Sequence, residues 1–282
     1  MKNIIVGIDF SLGSMNAMKH AVSMAIRLKT DLTLLYSLTP DAKLIEETNI
    51  TLRSNILSIA EKKLMELAEY CQKHIHHTKV KHKIRVGKAA KEIAAEAKEQ
   101  GRALVVVGTH GTSGFEEFFI GSTAMRIISS TEFPVLTVRD TVNIHRDLTD
   151  IVIIIDSSRE TLQKVKIAAL LSKAFQAKVH IVGVYTSKYR DLRDLVDAYV
   201  NKAEIYFNER DIRLESTIIE SDKDPRRIIE ISEGIKANLI ISMKETDLYG
   251  DDPFSLTSFS QKLVNRSSIP VLSVNVDTSI FR

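Results

Sequence analysis

Short runs of apolar residues alternate along this chain with longer stretches in which apolar residues return every three or four positions. In the first half, Met1 to Ile8, Leu32 to Tyr36, Lys79 to Val86, Leu104 to Val107 and Pro134 to Val138 read as strands. Leu57, Ala60, Leu64, Leu67 and Cys71 recur at helical spacing, and Ala89 to Ala97 forms a second such stretch. Most of the strand runs are continuous rather than alternating. Such strands are buried on both faces, as in a parallel sheet covered by helices. Strand and helix taking turns predicts an α/β, doubly wound fold with right-handed crossovers and a five-stranded, mainly parallel sheet.

The pattern occurs twice. Asn3-Ile4-Ile5-Val6-Gly7-Ile8-Asp9-Phe10-Ser11 matches Asp150-Ile151-Val152-Ile153-Ile154-Ile155-Asp156-Ser157-Ser158 without a gap, and the register holds to Leu32 opposite Val179. Leu104 to Val107 matches Leu239 to Ser242, and FPVLTV from Phe133 matches IPVLSV from Ile269. Each copy is long enough to be a domain with its own core. The expected organisation is a domain over residues 1–139, a polar linker over 140–149 and a second domain over 150–282.

Composition narrows the classes of function. A formal charge of +3 over 282 residues makes no electrostatic case for nucleic acid. One cysteine, Cys71, excludes an internal disulfide framework and fits a reducing compartment. The opening MKNIIVGIDFS reads as a strand rather than a signal peptide, and no apolar run is long enough to span a bilayer. The expectation is a cytoplasmic protein with neither nucleic acid nor membrane as partner.

The candidate chemistry follows the fourth strand. Gly108 to Ser122 reads GTHGTSGFEEFFIGS, with glycines spaced G-x₂-G-x₉-G-[ST]. Ligands of open α/β sheets bind beyond the carboxyl ends of the strands, where strand order reverses. Gly108 and Gly111 offer positive φ and close backbone approach to a ligand. Gly121-Ser122 opens a helix over Thr123 to Ser130, whose free N–H groups suit phosphate, and Ser122 and Thr123 add hydroxyls. The spacing is neither a Walker A motif nor G-x-G-x-x-G. Around Ser113 it does not satisfy G-x-S-x-G, so no nucleophile elbow is read there. An RNA-clamping G-x-x-G loop is disfavoured by the strand before it and the near-neutral charge. His74, His76, His77 and His82 match no zinc spacing and read as a solvated helix end. His110 either touches a phosphate or fills the loop.

At this point the chain resembles the universal stress protein family, as a tandem pair of domains covering nearly its whole length. Gly108, Gly111, Gly121 and Ser122 match the ATP-binding motif of its nucleotide-binding members, and IVGIDFS and FPVLTV resemble its first and last strands. The resemblance implies that Asp9 contacts the nucleoside and that the backbone at Ser37 meets adenine. It implies a floor at Val107 and Gly108, with Gly111, Gly121, Ser122 and Thr123 around the phosphates. For Asp9 a second reading stands beside this one, a cap of the turn through Ser11. The implied ligand is ATP, with or without Mg; Glu116 and Glu117, two adjacent acids on the arch, read either as holders of a cation or as ordinary solvated loop acids. The resemblance also implies pairing through the last strands, here as an internal pseudo-dimer or between two chains as a homodimer.

The second half departs from the motif. Met243 stands for Gly108, Thr246 for Gly111 and Thr257 for Gly121, which leaves Ser258 of the phosphate set. Asp247, Asp251 and Asp252 add negative charge there, with Lys244 the one nearby offset. One nucleotide site per chain is expected. Three functions compete: an ATP-binding stress-response or signalling protein whose occupancy is read by a protein partner, a slow ATPase with the same pocket, and a nucleotide-free assembly protein. No Walker lysine and no evident general base accompany the motif, which weighs against the ATPase.

Overall fold

The computed structural model describes residues 1–39, 50–109, 121–140, 142, 147–221, 224–244 and 258–276. The chain divides into two compact units, Met1–Asp140 and Thr141–Arg282. In the first, β1 (Asn3–Ile8), β2 (Asp31–Leu38), β3 (Val80–Val86), β4 (Ala103–Gly108) and β5 (Val135–Val138) form a sheet in the order β3-β2-β1-β4-β5. Its pairs are parallel, with Asn3 opposite Asp31 on one side and Ala103 on the other. β1 and β4 bury nearly every residue, as continuous apolar runs require.

Four helices cover this sheet. α1 (Leu12–Leu28) packs beside α2 (Ile50–His74), and α3 (Ala89–Gln100) beside α4 (Ser122–Ser130). α1 starts where Ser11 accepts a hydrogen bond from the Ser14 amide, and it ends at Lys29 in the left-handed conformation. The helical spacing noted in the sequence buries Ala60, Leu64 and Cys71 on the inner face of α2. His74, His76, His77 and His82 are all exposed. Strand order reverses between β1 and β4, since β2 and β3 lie to one side and β5 to the other. A crevice opens at that reversal.

A buried charge network sets α3 against the sheet. The Glu96 side chain is 0% exposed, and Oε1 accepts from Lys83 Nζ at 2.6 Å and from Gln100 Nε2. Oε2 accepts from Arg85 Nε at 3.0 Å and also from Nη2. Burial opposes this charge, but the hydrogen bonds from Lys83, Gln100 and Arg85 outweigh it and hold the carboxyl below its ordinary value. β3 and α3 are thereby locked together, and α3 forms one wall of the crevice.

The second unit repeats the plan. β6 (Asp150–Ile155), β7 (Lys178–Tyr185), β8 (Leu214–Glu220), β9 (Leu239–Met243) and β10 (Val271–Val274) order as β10-β9-β6-β7-β8, all parallel. Its helices are α5 (Val165–Phe175), α6 (Arg190–Asn208), α7 (Arg226–Gly234) and α8 (Phe259–Arg266). One difference is local. Where α1 begins directly at Leu12, the second unit first makes a 3₁₀ segment over Arg159–Lys164.

Candidate functional site

At the carboxyl ends of β1 and β4 the first unit has a cleft of about 260 Å³. Asp9, Ser37, Val107, Gly108, Gly121, Ser122 and Thr123 all line it, so one place holds residues spread over more than a hundred positions of sequence. Its apolar wall is Ile8, Leu35, Ile93 and Ile127. Gly111, His110, Glu116 and Glu117 lie outside the described residues. So do Thr246, Asp247, Asp251, Asp252 and Thr257 of the second unit.

The cleft is built from ordinary local rules. β1 ends at Ile8, and Asp9 Oδ1 accepts from the Ser11 amide at 3.0 Å and from the Ser11 hydroxyl. The Asp9 amide donates to Ser14 Oγ at 3.3 Å, and Ser14 itself faces the cleft. Asp9 is therefore both a cap of its turn and an exposed carboxylate on the cleft wall. Across from it, the Ser37 hydroxyl donates to the Gly87 carbonyl at 2.8 Å, which leaves an oxygen of that residue at the rim. Burial, followed by the Asp9 charge, raises the Tyr36 phenol above its ordinary value.

The phosphate end rests on α4. Gly121 takes the N-cap position, has no side chain to offer and makes no side-chain cap bond. Its own amide donates to the Thr109 carbonyl at 2.7 Å, tying the start of α4 to the end of β4. The first-turn N–H groups of α4 are thus left without a cap from that residue, at the mouth of a cleft whose nearest side chains are the exposed Ser122 and Thr123. Uncapped N–H groups plus hydroxyls form an anion-binding surface. In chemical terms the residues present fit a nucleotide: an anion seat at one end, and a carboxylate with an apolar wall at the other.

Gly108 and Gly121 both line the cleft, and Gly108 acts differently from the expectation. Gly108 does not have positive φ. A Cβ there would stand 2.5 Å from Gly13 C and 2.8 Å from Ser14 N, so its missing side chain admits the first turn of α1 rather than a ligand. A Cβ at Gly121 would first meet the Thr109 carbonyl oxygen at 3.1 Å. Ser14, Thr39, Ala89, Ile93 and Thr109 also line the cleft and were not singled out from the sequence. Ser14 alone had a signal there, three residues after Ser11 at a helix start.

The second unit keeps the turn and alters its surroundings. Ser158 N donates to Asp156 Oδ1 at 2.9 Å and Asp156 N to Thr161 Oγ1 at 3.1 Å, repeating the bonds of Asp9. Met243 stands in the register of Gly108, and the second unit makes its 3₁₀ segment, packed against β9, where the first unit starts α1. Lys164, in the register of Ala17, is 1% exposed and points its ammonium back to Thr161 Oγ1 at 3.0 Å. Burial lowers its pKa to about 8 against an opposing contribution from Asp156. Ser258 caps α8 by accepting from the Gln261 amide. The features that open the first cleft are each replaced.

Comparison with known proteins bears on both units. The family model described as universal stress protein family matches twice, over residues 1–139 and 148–275. A universal stress protein of Methanocaldococcus jannaschii is 31% identical over 144 residues, covering 49% of this chain and 82% of that protein. Among solved structures, a universal stress protein from Archaeoglobus fulgidus aligns with a TM-score of 0.77 at 18% identity, covering 98% of each chain. A protein of unknown function from Pseudomonas aeruginosa aligns at 0.68 and 15% identity, covering 100% of this chain and 95% of that one. At these identities the two structures speak to fold alone.

Proposed function

The chain belongs to the universal stress protein family, with both units inside the match, and from that premise we propose that it binds one ATP, in the cleft of the first unit. Asp9 and the backbone at Ser37 hold the nucleoside, Val107 and Gly108 form the floor, and Gly111, Gly121, Ser122 and Thr123 surround the phosphates. The observation that carries this is the contrast between two helix starts in one chain. α4 opens on Gly121 with no side-chain cap beside a cleft, whereas α8 opens on Ser258 with its cap made. A bare helix N-terminus facing a cleft is a seat for an anion.

Occupancy of the cleft is the signal, read by a protein partner in a stress response. When bound, ATP with its Mg supplies charge and bulk at the mouth of α4. The residues of the chain bind and orient it, and no group among the described lining residues is assigned a hydrolytic role. Mass spectrometry of the purified protein for bound nucleotide, followed by calorimetric titration, tests the reading. Saturation near one equivalent of ATP is the expected result. Two equivalents would mean that the second unit binds despite Met243 and Lys164, and none would refute the proposal.

A further inference from the structure

Phe10 follows Asp9 directly and adopts φ 63, in the left-handed region that a bulky side chain avoids. Lys29 and Gln176 share this conformation as helix C-caps, which is its ordinary use. Phe10 ends no helix. Its ring lies 5.3 Å from the Tyr36 ring at an interplanar angle of 36°, with Lys63 Nζ of α2 at 5.7 Å from its centroid. Tyr36 is the β2 neighbour of Ser37, on the other side of the sheet from the cleft, and Ile8 pairs with it in register. Contacts of this kind hold a strained backbone in place.

The second unit supplies the control within the same chain. In its register Phe10 becomes Ser157 and Tyr36 becomes Gly183, so both rings are lost together. The turn nevertheless forms, with Asp156 Oδ1 accepting from Ser158 N and Oγ as Asp9 does from Ser11. Ser157 is not in the left-handed region. The rings are therefore not needed to make the turn. They accompany the unit that has Gly108, an uncapped α4 and the cleft.

We propose that Phe10 is a positioning residue for the nucleoside: held by Tyr36 and Lys63, it keeps the Asp9 turn in a left-handed form that presents the Asp9 carboxylate to the cleft. This rests on the nucleotide reading above.

The test uses the full chain with Phe10→Ser, which copies Ser157, and Phe10→Tyr, which keeps the ring. Each is titrated with ATP, adenosine and tripolyphosphate, and ligand-free Phe10→Ser is crystallised. Loss of one aromatic clamp should weaken ATP and adenosine by about tenfold. Tripolyphosphate binding should not change, Phe10→Tyr should match wild type, and residue 10 of Phe10→Ser should leave the left-handed region. Unchanged adenosine affinity overturns the proposal, as does an equal loss for tripolyphosphate or a residue 10 that stays left-handed. A wild-type chain that binds none of the three refutes the nucleotide reading instead, and the crystal structure still decides whether the ring sets the turn.

Discussion

Replacing Lys164 with methionine should stabilise the second unit. The lysine is 1% exposed and donates to Thr161 Oγ1 at 3.0 Å, and among the described residues it has no ion-pair partner. It ends the 3₁₀ segment and stands at the N-cap of α5, where the helix dipole also disfavours a cation. Burial takes its pKa from 10.5 to about 8. At about 1.4 kcal/mol for each pH unit, keeping it charged in the folded state costs about 3 kcal/mol. Methionine fills nearly the same volume without the charge and gives up one hydrogen bond worth about 1 kcal/mol, for a net gain of about 2 kcal/mol. The sign with pH is definite. Below about 8 both states are protonated and the cost is complete; between about 8 and 10.5 the folded state sheds its proton while the unfolded state keeps it, so wild type gains stability as pH rises. The advantage of Lys164→Met should thus be largest at pH 7 and fade towards pH 10.5. Denaturant titrations at several pH values, followed by hydrogen exchange in β6 and β9, measure it in the correct unit. A variant less stable than wild type at pH 7, or a difference that ignores pH, would refute the reasoning.

Other perturbations separate packing from binding. Gly108→Ala should lower the ligand-free melting temperature, because its Cβ meets the backbone of Gly13 and Ser14 rather than a movable side chain, at a cost of about 1–3 kcal/mol; a neutral result would show that α1 can shift. Gly121→Val puts a Cβ 3.1 Å from the Thr109 carbonyl oxygen, a tight contact with backbone, so it should lower ligand-free stability somewhat. It should lose the gain of about 2.7 kcal/mol that wild type shows at about 100 times Kd of ATP, and equal ligand-induced shifts in both proteins would contradict the site. Glu96→Ala leaves Lys83 and Arg85 without their buried counter-charge and should destabilise the first unit by about 3 kcal/mol. Because the Glu96 carboxyl is held below its ordinary value, its contribution is present at neutral pH and lost as pH falls through the folded value, which acid titration of both proteins would reveal. A fragment of residues 1–139 should self-associate if its closing Pro-Val-Leu strand seeks the partner proposed from the sequence; a strictly monomeric fragment on sedimentation would sink that pairing.

Much of the fold was legible because it rests on period alone. Leu104 to Val107 is apolar without a break, and only a strand covered on both faces uses such a run. The repeat was legible because Asp9 and Asp156 sit at the same step past matched strands. What the linear pattern does not carry is which atom a missing side chain makes room for. Gly108 reads as a ligand glycine from its place after β4, yet the space it leaves is taken by the first turn of α1, nearly a hundred residues earlier in the chain. Lys164 is hidden for a related reason. On an amphipathic pattern a lysine is assigned to solvent, and its burial shows only in the packing of the 3₁₀ segment that carries it.

The two helix starts show how one scaffold leaves a helix uncapped beside a cleft in one copy and caps the matching helix in the other. A serine at an N-cap is worth about 1 kcal/mol over a residue that makes no cap bond. α8 takes that stability through Ser258 and Gln261. α4 forgoes it: Gly121 makes no cap bond, and its conformation is helical-side φ −56 with ψ 143, which any residue can adopt. Glycine is thus not required there by backbone strain. Its absence of a side chain leaves the first-turn N–H groups of α4 without a cap bond from that residue, whereas α8 uses its cap bond for its own stability. An anion binding at α4 would restore what the missing cap withholds, and that linkage makes occupancy a change in the stability of the first unit alone.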